Sequence, residues 1–416
     1  MIRFFIVFYN ILYVLSLPFI LIVFIFNNKY NKEIFYKLSE RFSFCKLLNK
    51  NLKTTLWIHC ASLGEVRAVE PVLENLKDKY YIVLTSLTRS GRDYAQNLQK
   101  ADFVTLLPLD IYPIMCKFFN IVKPNMLILL ETEIWVTMLY IASCKNIKII
   151  TINGRMSSKS FKIYKKFKFF WNKFIMLIDT IITVSKDDAD RFSFLTNGKC
   201  KVIVSGNIKY DRNFTLDSKR EDFLLSEDDF VFSAGSTREG EEEIIADVFN
   251  RISLNFNGIK FFVAPRHLSR IKTIVKILEN RCIEYSLFSS GNLKSRFILV
   301  DVFGKLHDIY SISDICYVGG AIVNKGGQNP IEPAGYGRPV LFGKNMDNFK
   351  VESEILLKYN GALIVNNGDD LYNNIKKFIC DRRFLEDIGK NALKAVESQK
   401  NVVSFVIEKL KENLSV

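Results

Sequence analysis

The chain has 416 residues, too many for one ordinary core and suited to two domains of roughly 150–200 residues each. Hydrophobic residues make up 49% and charged residues 25%, which excludes disorder, and three histidines with eight scattered cysteines and no C-x-x-C pair exclude a disulfide framework and a His-rich metal centre. A formal net charge of +14 favours acidic partners, with nucleic acid, anionic lipid and phosphorylated sugar all open.

Phe4 to Phe26 runs without a charge, broken only by Asn10, Ser16 and Pro18 among apolar and tyrosine positions. As a helix with a rise of about 1.5 Å per residue, it would span ~34 Å, enough for a hydrocarbon core of ~30 Å. A secretory signal has a shorter apolar stretch that ends at a small-residue cleavage site, whereas this run ends in Phe26-Asn27-Asn28-Lys29. The expectation is a retained membrane anchor over residues 1–28, with a signal peptide or a hairpin-like monotopic segment as the alternatives. Only Arg3 precedes the run, while Lys29, Lys32, Lys37, Arg41, Lys46, Lys50 and Lys53 follow it. Positive residues stay inside, so everything after residue 28 is expected on the cytoplasmic side.

From residue 55 strand-length apolar runs alternate with helical spacing. The strands are expected at Thr55–Ser62, Tyr81–Ser86, Phe103–Pro108, Met126–Leu130, Ile147–Ile152, Thr180–Ser185 and Lys201–Ser205. A polar, charge-rich segment from Tyr210 to Asp229 reads as a linker. The alternation restarts at Phe230–Ala234, Lys260–Ala264, Phe297–Val300, Ile315–Val318, Pro339–Phe342 and Ala362–Val365, and Phe384 to Val416 reads as helices. Two such halves predict α/β architecture with two Rossmann-like domains, which bind ligands at the carboxyl ends of strands. The boundaries are residues 29–212 and 213–400, with residues 401–416 as a helix crossing back to the first domain. Neither half carries a G-x-G-x-x-G or G-x-x-x-x-G-K-[ST] loop, which argues against dinucleotide redox chemistry and P-loop hydrolysis.

Four stretches are candidates for chemistry. His59 to Val66 closes the first strand and opens the first helix, so Gly64 would allow a tight turn and Glu65 would fall in the first helical turn. A carboxylate there is favoured in its ionised form, ready to accept a proton, or it merely complements the helix N-terminus; spacing leaves both open. Ser233 to Glu241 offers backbone N–H groups to an anion, or is an ordinary strand-to-helix turn. Pro265-Arg266-His267 puts a guanidinium at a strand end, for a phosphate or for a surface ion pair. Gly319-Gly320-Ala321 and Gly326 to Ala334 bring backbone close to a ligand, Pro330 starts a helix facing it, and Glu332 can accept ribose hydroxyls.

A further segment interleaves Lys159, Lys162, Lys165, Lys166, Lys168 and Lys173 with Phe161, Tyr164, Phe167, Phe169, Phe170, Trp171 and Phe174. It suits an anionic membrane interface or a phosphorylated lipid headgroup; the anchor argues against single-stranded nucleic acid, and a solvated helix face with an aromatic core side is the plainer alternative.

Six motifs in order carry a resemblance: Ala61-Ser62-Leu63-Gly64-Glu65, Leu130 to Trp135, Asn153-Gly154-Arg155-Met156-Ser157, Ser205 to Asp211, Pro265-Arg266-His267 and Gly326 to Ala334. From the anchor to Phe349 the chain resembles the 3-deoxy-D-manno-octulosonic acid (Kdo) transferases, membrane-associated inverting glycosyltransferases. The resemblance implies a GT-B fold, with two Rossmann-like domains facing a central cleft. It implies transfer of Kdo from CMP-Kdo to a lipid A precursor at the inner membrane, with no cofactor, metal or nucleic acid. By position, Glu65 would be the general base. Pro265, Arg266, Phe303, Gly304, Lys305, Asn329, Pro330, Ile331 and Glu332 would surround the CMP moiety. Lys162, Lys165, Lys166 and Lys168 would face the acceptor or membrane, and Glu131 and Glu133 would be structural or positioning residues. The chain departs from the family where Gln328 replaces a frequent His, Lys305 an acidic residue, Gly154 an Ala and Ser43 a Gly. The rival readings are another GT-B transferase using a UDP-sugar and a membrane-tethered binding protein without catalysis.

Overall fold

Continuous apolar runs without polar alternation make strands buried on both faces, which calls for helices on both sides of a parallel sheet. The structure, a computed structural model, describes residues 2–25, 36–45, 53–211, 214 and 218–414. The orienting Lys29, Lys32, Lys46 and Lys50 lie outside the described residues.

In the first half the strands are β1 (Thr55–Cys60), β2 (Tyr81–Ser86), β3 (Phe103–Leu106), β4 (Met126–Leu130), β5 (Lys148–Gly154), β6 (Thr180–Thr183) and β7 (Lys201–Val204). In the second half they are β8 (Phe230–Thr237), β9 (Ile259–Pro265), β10 (Tyr285–Leu287), β11 (Phe297–Leu299), β12 (Ile315–Val318), β13 (Val340–Phe342) and β14 (Ala362–Ile364). Among the described residues they form two seven-stranded sheets, ordered β3-β2-β1-β4-β5-β6-β7 and β10-β11-β9-β8-β12-β13-β14. Adjacent strands run parallel throughout both sheets. Each sheet starts in its middle and winds outward in both directions, the doubly wound arrangement of Rossmann-like domains. Strand β10 was not legible in the alternation, because it is three half-buried residues at a sheet edge.

The chain divides into two compact units, Met1–Arg212 with Asn401–Val416, and Asn213–Lys400. In the first, Trp57 is fully buried between Phe118 and Phe119 at ring separations of 4.8 and 4.9 Å. Its indole Nε1–H donates to Thr85 Oγ1 at 2.9 Å, so the one polar atom is satisfied. In the second, Phe261 packs between Phe232, tilted at a ring separation of 4.5 Å, and Phe249, edge-on at 5.2 Å.

The boundary between the two units falls within the segment expected to be a linker, and its described flanks pack into one unit or the other. Ile208 and Tyr210 are buried in the first unit, whereas Phe223 and Leu225 join a core cluster of the second. Arg220 ties the latter stretch down by donating to the Ile312 carbonyl at 3.1 Å. Its charges had masked the short apolar anchors between them. Asp211 instead caps the last helix, Val402–Leu414, by accepting from the Asn401 N–H at 2.6 Å and from the Val403 N–H. That helix packs Val402, Val403, Val406, Ile407 and Leu410 into the core of the first unit.

Candidate active site

In the first unit the strand order reverses between β1 and β4, and the crevice at such a switch point is where these folds bind ligands. Glu65 follows β1, and Glu131 and Glu133 follow β4. Ser62, in extended backbone, caps the helix Leu63–Leu76 by accepting from the Glu65 N–H at 3.4 Å. The Glu65 carboxylate reaches back to accept from the Ala61 N–H at 2.7 Å and the Ser62 hydroxyl at 3.2 Å. The turn is therefore made by Ser62 and not by Gly64, which lies inside the helix at an ordinary φ.

Glu65 is only 8% exposed. Burial, followed by the charges of Glu131 and Glu133, pushes its pKa from 4.5 up to about 8, against the lowering effect of its two hydrogen bonds. The expectation of a resting carboxylate is thereby corrected: desolvation and two like charges outweigh the helix terminus. An acid poised near neutral pH can take up or release a proton during a reaction, which is what general acid–base work requires.

Its neighbours are themselves held. Glu131, at a φ of 58°, faces Lys209 Nζ at 3.4 Å. Glu133 accepts from the Trp135 indole at 2.7 Å and lies 3.6 Å from His59 Nε2. His59 is fully buried, with Nδ1 3.0 Å from Thr85 Oγ1. The sequence motifs interlock around this edge. Thr132 donates to the Arg155 carbonyl, and Asn153 Oδ1 accepts from the Ile208 N–H at 3.2 Å.

In the second unit the corresponding edge is formed by the ends of β8, β9 and β12. In the turn after β8, two of the N–H groups that an anion could use are occupied within the chain. Its Arg238 and Gly240 N–H groups are taken by Glu241 (2.9 Å) and Glu243 (3.1 Å), from the first turn of the helix Glu241–Ser253. Fully buried Glu241 also accepts from Tyr317 OH at 2.7 Å and the Gly320 N–H at 2.8 Å. The glycine stretch likewise closes on itself: Lys325 and Gly327 donate to the Gly320 carbonyl at 2.8 and 3.1 Å. Gly320, Gly326 and Gly327 all take positive φ, the backbone conformation that this loop's turns require and that glycine adopts without strain.

The same edge also carries charged and polar side chains. Arg266 follows the buried Pro265 of β9 and is exposed. Loss of water around the guanidinium lowers its pKa, the Arg238 guanidinium adds to that, and the Glu332 carboxylate opposes it, so the three groups share one field. Arg238 Nη1 lies 2.8 Å from His267 Nε2. Glu332 accepts from Asn329 Nδ2 at 3.2 Å and lies 3.7 Å from His307 Nε2. Pro330 and Ile331 are buried at the start of the short helix Ile331–Gly335 and pack inward, and the Ile331 N–H is taken by Asn329 Oδ1 at 3.2 Å. Phe303 is exposed, Gly304 takes a φ of 90°, and Lys305 pairs with Asp308 at 3.0 Å. Arg238, His267 and His307 were not singled out from the sequence as partners, because strands distant in the chain bring them together. Among the described residues no group of three or more His, Cys, Asp or Glu side chains is placed to hold a metal ion.

The basic and aromatic segment forms the helices Ser158–Lys166 and Lys168–Ile175. Lys162, Lys165 and Lys166 are exposed and Lys168 is half-buried, with Lys168 lying 3.9 Å over the Phe194 ring. Phe174 and Ile175 turn into the core, so one side of the second helix is structural.

Residues 36–212 match the family described as 3-deoxy-D-manno-octulosonic-acid transferase (kdotransferase). The chain is 30% identical over 382 residues to a 3-deoxy-D-manno-octulosonic acid transferase of Aquifex aeolicus (strain VF5), covering 91% of this chain and 99% of that protein. It is 33% identical over 366 residues to a bifunctional glycosyltransferase/methyltransferase of Fusobacterium nucleatum, covering 83% of this chain but 53% of that protein, so it spans about half of that relative's length. A UDP-GlcNAc 2-epimerase from Neisseria meningitidis, solved with UDP-GlcNAc bound, matches with a TM-score of 0.63 at 14% identity, over 86% of this chain and 100% of that one. That likeness concerns the fold alone, and it agrees with the α/β GT-B class of two Rossmann-like domains. With its doubly wound sheets and its near-complete alignment to the Aquifex protein, the chain belongs to the 3-deoxy-D-manno-octulosonic acid transferase family of glycosyltransferases.

Proposed function

We propose that the chain moves Kdo from CMP-Kdo to a hydroxyl of the lipid A precursor (lipid IVA), with Glu65 as the general base. The observation that carries this reading is the buried Glu65 carboxyl, held near pH 8 by burial and by Glu131 and Glu133 at the switch point of its sheet.

In this mechanism Glu65 takes the proton of the acceptor hydroxyl as its oxygen bonds to the anomeric carbon of Kdo. The bond from that carbon to the phosphate oxygen breaks, and CMP leaves with the electron pair. Attack opposite the leaving group inverts the anomeric configuration, and positive charge on the sugar carbon develops beside Kdo's own carboxylate. Arg266, with Arg238 nearby, supplies guanidinium charge for the departing phosphomonoester. Asn329 and Glu332 offer polar contacts to the nucleoside, with Pro265, Pro330 and Ile331 supporting them from the core side and Phe303, Gly304 and Lys305 forming an adjacent loop.

The acceptor is a lipid, which agrees with an apolar N-terminal helix and with Lys162, Lys165, Lys166 and Lys168 beside aromatic rings. The chain then works at the cytoplasmic face of the inner membrane. Incubation of the detergent-solubilised protein with CMP-Kdo and tetraacylated precursor in EDTA, read by mass spectrometry, tests the proposal. One or more added Kdo units with release of CMP support it. No gain, but transfer from a UDP-sugar, overturns it.

A further inference from the structure

The helix Ile2–Ile25 is long and apolar enough to cross a bilayer. A helix that crosses on a tether would keep its polar side chains few and its contacts with its own domain fewer. Here the first half is bound to the domain by specific polar contacts. Asn10 Oδ1 accepts from the Tyr112 N–H at 2.7 Å, and Asn10 Nδ2 donates to Thr137 Oγ1 at 3.1 Å. Tyr9 OH donates to Asp110 Oδ2 at 3.0 Å. Asp110 is fully buried just beyond β3 and also accepts from the N–H groups of Thr137 (3.0 Å) and Met138 (2.9 Å). Ile6 joins the core cluster around Trp57. Closer to the N-terminus, the Phe5 ring lies 5.6 Å from Phe170 and 6.4 Å from Phe169, with Lys173 Nζ 5.6 Å from its centroid.

Residues from Phe5 to about Tyr13 are therefore seated on the domain that carries Glu65. What remains, Val14 to Ile25, would reach only ~18 Å at about 1.5 Å per residue, well short of a ~30 Å hydrocarbon core. Undocking the helix to lengthen the span would place Tyr9 and Asn10 in hydrocarbon without partners and would remove one donor from buried Asp110.

The outward side of the helix is apolar: Phe4, Val7, Phe8, Ile11, Leu15 and Phe19 are exposed, Phe4 at 69% and Phe19 at 73%. Through Phe5 this stripe continues into exposed Phe169, beside Lys165, Lys166 and Lys173. An apolar stripe with a cationic rim fits one leaflet of an anionic bilayer, tails against the stripe and headgroups against the lysines. Between helix and domain an open groove of about 790 Å³, walled by Ile6, Val7, Ile11, Val14, Ile111 and Tyr140 among others, is apolar enough for lipid tails to fill.

We infer that the N-terminal helix does not cross the membrane but lies in a single leaflet as a fixed part of the Glu65 domain. Its N-terminus and that domain then face the same side, in contrast to the crossing orientation expected from the flanking charges. The inference rests on the reading that this chain works at a membrane. The test uses the full chain with an N-terminal epitope tag in inside-out and right-side-out inner-membrane vesicles treated with protease. The expected result is loss of the tag in whichever vesicles lose the Glu65 domain, and protection of both in the others. Tag and domain exposed in opposite vesicles would overturn the inference. A paired variant, Phe5→Cys with Phe170→Cys in a chain carrying Cys144→Ser, should be joined within one chain by a short flexible bismaleimide added to the vesicles, and neither single variant should. Failure of that cross-link in folded, membrane-bound protein would also overturn it. Transfer assayed in the same vesicles separates the two claims: a tag on the domain's face without Kdo transfer sinks the function and keeps the topology.

Discussion

Replacing Glu131 by Gln should make Glu65 a stronger acid while leaving it in place. The Glu65 pKa stands at about 8 instead of 4.5, which disfavours its ionised form by about 5 kcal/mol at ~1.4 kcal/mol per unit. Burial is the largest cause and the Glu131 charge the next. Loss of that charge also releases Lys209, now 3.4 Å from Glu131, to act on the same edge. A downward shift of about one unit, or ~1.4 kcal/mol, is the expected size. The assay is the pH dependence of kcat/KM for Kdo transfer, whose acid limb reports the base in the free enzyme. The wild type should rise to a plateau through about pH 8 and the Glu131→Gln variant through about pH 7. At pH 6 the variant would then run about tenfold closer to its own plateau. A limb that stays within a few tenths of a unit of the wild type, whatever happens to the plateau, would refute the assignment of Glu65 as the titrating base.

The same shift bears on stability. Because the folded pKa of Glu65 lies above its ordinary value, its contribution is full below about pH 4.5 and is lost as pH rises through about 8. Glu65→Gln should therefore gain stability over the wild type as pH rises from 5 to 9, by up to about 5 kcal/mol. A difference in Tm that does not vary with pH would count against it. Arg266→Ala should raise the KM for CMP-Kdo by about 10- to 100-fold with a smaller effect on kcat, since a guanidinium–phosphate contact is worth about 1.5–3 kcal/mol. Steady-state kinetics with donor varied would show it. Asp211→Ala should cost about 1–2 kcal/mol by uncapping the C-terminal helix, and limited proteolysis should release that helix first. Trp57→Ala should cost about 3–5 kcal/mol, read from urea unfolding.

The strands were legible in the sequence because parallel strands buried on both faces appear as unbroken apolar runs, as in Met126–Leu130 and Ile315–Val318. Edge strand β10 has no such run, and the Tyr210–Asp229 stretch hid Phe223 among charges. The position of Glu65 beyond β1 was legible from its motif. Its protonation was not, because Glu131 and Glu133 lie far along the chain and become neighbours only when β4 pairs with β1. The spacing lets the glycine stretch bring backbone close to a ligand, and lets the Ser233–Glu241 turn either offer amides to an anion or be an ordinary strand-to-helix turn. Buried Glu241 takes the N–H groups of Arg238 and Gly320, and no local spacing shows that a carboxylate from the next helical turn will fold back. The N-terminal helix shows the same limit, since hydropathy records its length but not that Tyr9 and Asn10 bond to Asp110, Tyr112 and Thr137.

The most direct test compares the wild type with Glu65→Gln in transfer from CMP-Kdo to tetraacylated lipid A precursor at pH 8. Both proteins would first be shown to be folded by near-UV circular dichroism. Kdo-bearing product is expected from the wild type and a rate lower by about 10²- to 10⁴-fold in the variant, with CMP-Kdo still bound. Equal rates, or no product from the wild type, would contradict it.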